Sequence, residues 1–343
     1  MAGAPQHGVW RAAWSRFRRD RVGMVALAVV AAYALLIAVS TAGGVGSHWQ
    51  DEVAVPDAPP SFIGPAAPEA SGDGAVASAA AASKRIDIAD VDPLAPRYAE
   101  WAARTEQFHA QARPKATTLL LGGDRLGRDV LSKAVKGTEI SVSVGLLSAL
   151  MATLIGTALG ALAGFFGGRL GDLLEWVYNV FTAIPGILLV FAFAAVAGRG
   201  VLSVVLILGC TGWTGMYRLM RAEFLKHRVR EYVRAAEAIG AGTGARIFRH
   251  ILPNVSHVIL VQLSILVVAF IKAEVILSYL GLGVGVDQVS WGTILAEAQS
   301  ELLLGYWWQL AAATAFMALF ITAFSLMTDA MRDALDPKLR GVA

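Results

Sequence analysis

The stretch RAEFLKHRVREYVRAAEAIGAGTGARIFRHILP, Arg221 to Pro253, decides how this chain is read. It is a polar segment held between two apolar runs, each long enough to cross a membrane. Seven basic residues (Arg221, Lys226, Arg228, Arg230, Arg234, Arg246, Arg249) stand against three Glu within it. Short loops rich in Lys and Arg stay on the cytoplasmic side of a membrane, so the segment is placed there. Ala235, Ala236, Ala238 and Ile239 make a small apolar ridge against which another protein can pack closely. Gly240, Gly242 and Gly244 read as helix breakers, and a second helix is expected from Ala245 to Leu252.

Working outward from that loop, charge-free runs cover Val22 to Gln50, Ile140 to Gly168, Trp176 to Gly198, Gly200 to Tyr217, Ile251 to Ile271 and Leu302 to Thr328. A span takes roughly 20 apolar residues, which each run meets or nearly meets. The chain is 56% hydrophobic and 16% charged, with a mean hydropathy of +0.58, well to the apolar side of soluble usage. The fold expected is all-α: a polytopic membrane protein with six transmembrane helices. The boundaries that follow are a basic tail over 1–21, a first span over 22–42, and an extracytoplasmic insertion over 43–138. A five-helix core over 139–330 carries the 221–253 loop, and a tail over 331–343 closes the chain. The first apolar run exceeds the length of a signal-peptide core, so it reads as an anchor.

Seventeen basic residues flank one set of span ends, from Arg11, Arg16, Arg18, Arg19 and Arg21 to Arg332, Lys338 and Arg340, while the opposite short loops hold Arg199. Both termini are therefore expected in the cytoplasm. Lys133 and Lys136 sit on the wrong side for this rule, in a long segment that escapes it.

Several segments together resemble the permease subunits of ABC importers, in particular the peptide branch. Ala235-Ala236 followed by Gly240 and then Leu252-Pro253 is similar to that family's EAA loop, within EYVRAAEAIGA…IFRHILPN (Glu231 to Asn254). LGGDRLGRDVLSKAVKGTEISVSVGL (Leu121 to Leu146), AIPGILL (Ala183 to Leu189), AEVILSYLGLG with SWG downstream (Ala273 to Gly283, Ser290 to Gly292) and DAMRDALDPKLR (Asp329 to Arg340) resemble it in the same order. The resemblance implies a type I ABC importer permease-like fold in a bacterial cell membrane. It implies pairing with a second homologous permease, two cytoplasmic ABC ATPases that bind ATP and Mg, and an extracytoplasmic substrate-binding protein. The ATPase-coupling surface would comprise Arg234, Ala235, Ala236, Glu237, Ile239, Gly240, Leu252 and Pro253. Arg234 stands where the family carries Glu, so a salt bridge at that position needs a different partner. Peptide is the cargo the resemblance favours; nickel or another small solute is the alternative within it.

Elsewhere, Gly156, Gly160 and Gly164 recur every fourth residue and bare one face of the second span for helix packing, within this subunit or against a partner. Pro185 should kink the third span. Lys272 and Glu274 are ionisable residues near the end of the fifth span, costly in hydrocarbon. They lie two residues apart on different helix faces. Two readings stand for them: contact with the translocated solute, or snorkelling to the outer interface. The insertion contains the near low-complexity SGDGAVASAAAASK (Ser71 to Lys84) and reads as a flexible excursion or a docking surface. A helix over Pro96 to Gln111 carries Tyr98, Trp101 and Phe108, and residues 126–136 suit an amphipathic helix at the outer surface.

No catalytic constellation is present. None of the seven Lys follows a Gly, so there is no Walker A sequence, and the six His form no HExxH. Cys210 is alone, which excludes an internal disulfide and thiolate metal clusters. No cofactor is expected on this chain, and nucleic acid is not an expected partner. An ion-coupled carrier working without an ATPase would need intramembrane carboxylates and broken helices in both halves. Only Glu274 answers that description.

Overall fold

The computed structural model describes residues 14–64, 93–111 and 115–335. In chain order its helices are α1 (Arg21–Thr41), α2 (Tyr98–Gln111), α3 (Val130–Phe166), α4 (Gly168–Ala183), α5 (Gly186–Ala197), α6 (Val201–Thr211), α7 (Thr214–Arg228), α8 (Glu231–Ala238), α9 (Leu252–Tyr279), α10 (Trp291–Leu303) and α11 (Trp308–Leu335). Among the described residues, extended pairing is confined to isolated bridges. Two compact units result, one formed by Met1–His48 with Ser132–Ala343, the other by Trp49–Leu131.

Among the described residues, five helical runs are long and apolar enough to cross a membrane: Arg21–Thr41, Val130–Phe166, Val201–Arg228, Thr243–Tyr279 and Trp308–Leu335. The pair α4–α5 joins them as a sixth only if it is counted as one span, because it is bent by 85°. The expected kink at Pro185 is thus a full break. Ile184 is extended, as a residue preceding proline prefers, and Pro185 offers no N–H to continue the ladder.

Two other expectations are corrected. Residues 126–136 do not form a separate amphipathic helix, since Val130 opens a 37-residue helix that continues into the membrane run. Lys133 on it has no exposed side-chain surface and pairs with Glu297 of α10 at 2.5 Å, with Gln309 of α11 beside both. The helix expected over Ala245 to Leu252 is not separate either. Thr243–Ala245 and a π-helical turn, Arg246–Ile251, run straight into α9. A proline ring clashes with the carbonyl four residues back in an α-helix. The widened turn lies immediately ahead of Pro253, where that clash would fall.

In the larger unit, α1 lies along α11. Asp20 caps α1 by accepting from the Val22 N–H at 2.9 Å, and the Tyr33 hydroxyl donates to the Phe316 carbonyl at 2.9 Å. The core is built from Val144 and Ala152 of α3, Val204 and Leu208 of α6, Ile271 and Leu277 of α9, and Trp291 of α10. The glycine stripe packs within the subunit, against α7. A Cβ on Gly160 or Gly164 would stand 2.6 Å from the Tyr217 or Arg221 carbonyl oxygen, so only glycine permits this approach.

The smaller unit is a bridged knot rather than a loose excursion over its described part. Ala54, Val55 and Asp57 donate backbone N–H bonds to Gly127, Ala116 and Asp124. Asp124, fully buried, accepts from the Leu126 and Arg128 N–H groups and pairs with the Arg128 guanidinium at 2.7 Å. Arg128 in turn lies over the Trp49 ring. Burial, with the nearby Asp124 charge adding to it, pushes the Asp57 carboxyl above its usual range. Ser71 to Lys84 falls outside the described residues.

Candidate functional site

α8 is eight residues long and presents two faces. Val233 and Ala236, three apart, turn inward and are buried, Val233 packing with Phe224 of α7 and with Ile247, Ile251 and Val255. Glu231, Arg234, Ala235 and Ala238 form the exposed stripe, and Ile239 beyond them is 86% exposed. The apolar ridge read from sequence is therefore divided. Ala235, Ala238 and Ile239 are free to meet another protein, whereas Ala236 is spent on this subunit's own core.

The helix ends in a Schellman motif. Gly240 has φ +87°, its N–H reaches the Glu237 carbonyl, and the Ala241 N–H reaches the Ala236 carbonyl, both at 2.9 Å. Of the three glycines expected to break the helix, only Gly240 does so. Gly242 is an extended N-cap, and Gly244 lies inside the next helical turn. A Cβ at Gly240 would meet no atom within 4 Å, so the glycine is required by its backbone conformation alone.

Several side chains hold this loop to the spans. Arg246 pairs with Glu237 at 2.6 Å and lies over the Phe165 ring at the end of α3. Arg228 donates to the Phe165 carbonyl at 3.2 Å, covering an end group of α3. His227 and Tyr232 share a 2.8 Å hydrogen bond, and burial raises the Tyr232 hydroxyl above its ordinary range. Leu252 is half-buried against the same cluster, while Pro253 and Phe248 are exposed. Arg246 is the residue whose place in this loop sequence reasoning passed over. Its only signal was one more positive charge in an already basic loop, since its partners lie nine and eighty-one residues away in the chain.

Lys272 and Glu274 part company. Lys272 is exposed on α9, and Glu274 has no exposed surface at all. Glu274 is held inside this subunit rather than on its surface. Its Oε1 accepts from the Ser278 hydroxyl at 2.6 Å, inside a tight knot of chain between α9 and α10. Ser278 also receives the Val284 N–H, and Ser141 of α3 receives the Trp291 N–H at 3.1 Å. Ser290 and Thr293 form a reciprocal capping box that starts α10. Gly292 sits so close that a Cβ would stand 2.6 Å from that of Ser278. The GLG and SWG segments are thus packing elements of the α9–α10 corner.

Comparison with known proteins bears on the chain as a whole. Residues 156–341 match the family model described as binding-protein-dependent transport system inner membrane component. The chain is 37% identical over 230 residues to the dipeptide transport system permease protein DppC of Bacillus subtilis, covering 67% of this chain and 72% of that protein. It is 34% identical over 247 residues to the oligopeptide transport system permease protein OppC of the same organism, covering 72% and 81%. To the dipeptide transport system permease protein DppC of Lactococcus lactis it is 27% identical, over 97% of this chain and 92% of that protein.

Proposed function

The chain belongs to the family of binding-protein-dependent transport system inner membrane components, and from that premise we propose that it is the permease subunit of an ATP-driven importer of peptides. The peptide assignment is supported by the relatives, which are named for dipeptide and oligopeptide transport. The subunit forms half of a translocation path in a bacterial cell membrane, with both termini cytoplasmic. A second homologous permease supplies the other half. Two ABC ATPases carry ATP and Mg, and an extracytoplasmic binding protein delivers the peptide.

The observation that carries the mechanism is the two-faced α8. Its outer stripe, Arg234, Ala235, Ala238 and Ile239, offers a shallow, small-residue surface to an ATPase groove. Its inner residues Val233 and Ala236, with the Glu237–Arg246 pair, bind it to α3, α7 and α9. When two ATPases close around ATP, the α8 helices of both permeases are carried with them. Because cores are close-packed and resist compression, that displacement passes to the spans as rigid-body rotation between inward- and outward-facing states. Lys272, exposed on α9, is assigned to the path or to the outer membrane interface.

Purification of the whole assembly in lipid tests the proposal. Peptide-stimulated ATP hydrolysis should require the partner ATPases, and this chain alone should turn over no ATP. Robust hydrolysis by the isolated chain, or peptide uptake without any ATPase, would overturn it.

A further inference from the structure

At one end of the α1–α11 pair, an apolar groove opens beside Arg21, with three further arginines just ahead of it in the chain. Arg16, Arg18 and Arg19 precede α1, and Arg21 is its first residue. None of their guanidiniums has a hydrogen-bond or ion-pair partner among the described residues. Arg21 itself lines the mouth of the groove, whose walls are Val22, Val25 and Val29 on α1 and Leu319 and Leu326 on α11. Among the described residues, the carboxylates at this end are Asp20, engaged as the α1 cap, and Asp329 and Asp333 on α11. Counting Arg332, five arginines outnumber them, so the local field favours an anion.

From Val22 to Val29 the groove follows about 10 Å of helix, at 1.5 Å per residue. One leaflet of a bilayer has about 15 Å of hydrocarbon, half of the roughly 30 Å core. A ligand seated here therefore has an anionic head at the depth of Arg21 and an apolar tail reaching most of the way to the midplane. We propose that the α1–α11 groove is a binding site for an anionic phospholipid, its phosphodiester held by Arg21 with Arg16, Arg18 and Arg19, and one acyl chain lying between the two helices. Basic pockets between membrane helices select such headgroups over zwitterionic ones, each cation near the surface contributing about fivefold.

The test uses the transporter assembled with its partner subunits in membranes of phosphatidylcholine and phosphatidylglycerol, with trace acyl-photoactivatable analogues of each. Labelling of residues 22–29 and 319–326 should favour phosphatidylglycerol by about fivefold or more. Replacing all four arginines with Gln should bring the two lipids to parity, while replacing them with Lys should keep the preference. Leu326→Trp, which fills the groove and leaves every charge in place, should remove labelling by both lipids at this site. Co-purification of the partner subunits checks that each variant assembles. Equal labelling by both lipids in the unaltered complex, a preference that survives the Gln variant, or coverage of the groove by a partner subunit would overturn the proposal.

Discussion

Two glycine positions carry opposite physical demands, and the difference can be measured. At Gly240 the space is open and the backbone is left-handed, a conformation that costs a side-chain-bearing residue about 1–2 kcal/mol. Gly240→Val should leave subunit abundance near normal while ATP-coupled uptake falls, because the end of α8 is re-aimed. At Gly160 the backbone is helical and the space is filled, so Gly160→Val forces α3 from α7 at about 1–3 kcal/mol or more. That variant should lose abundance before any transport defect is seen. Immunoblotting of membranes beside uptake separates the two, and a Gly240→Val subunit that transports normally would contradict the role given to α8. Sequence spacing made Gly240 and the glycine stripe legible, since each demand recurs at a fixed offset from its neighbours. It could not tell which flank of α8 faces inward. Ala235 and Ala236 are equivalent as letters, and only the position of Val233 against Phe224 and Ile251 decides between them. The surroundings of Glu274 were illegible for a related reason: its partner Ser278 is a turn away, but its burial depends on α10, which no local pattern reveals.

At the scale of elements, apolar length located five membrane runs directly, because a helix long enough to span hydrocarbon leaves an unmistakable charge-free signature. The sixth shows what that signature omits. A proline marks a disturbance, but the 85° bend between α4 and α5 depends on what surrounds them. Residues 183–186 are exposed in this subunit, and a broken backbone is not tolerated against lipid, where nothing satisfies its N–H and C=O groups. In the assembled transporter, a spin label at Ile184 should therefore lack the lipid signature of high oxygen and low nickel-chelate accessibility. Observing that signature would place the break in hydrocarbon and contradict the argument. The merging of the expected Ala245–Leu252 helix into α9 has the same origin. Pro253 looks like an interruption until a π-helical turn relieves it.

Across the whole molecule, the two units were separable in sequence by composition, yet the order within the smaller one was not foreseen. Its bridges join residues near 54 to residues near 127, a pairing with no periodic signal. It hinges on Asp124, fully buried, which accepts from the Leu126 and Arg128 N–H groups and pairs with the Arg128 guanidinium, so its loss would leave those backbone donors unsatisfied at about 1–3 kcal/mol each. Asp124→Ala should thus open residues 49–64 and 115–131 to protease while the membrane helices stay intact; unchanged protection would contradict this account of the knot. The larger claim is that α8 transmits ATPase motion to the spans, and Ile239 is its most exposed apolar residue. The most direct measurement places a cysteine at Ile239 and a second in the groove of the partner ATPase, in the assembled complex. The account predicts a cross-link in high yield that freezes peptide uptake and peptide-stimulated ATP hydrolysis together, both returning on reduction. A complex that transports peptide normally while no cross-link forms at Ile239, Ala235 or Ala238 would contradict it.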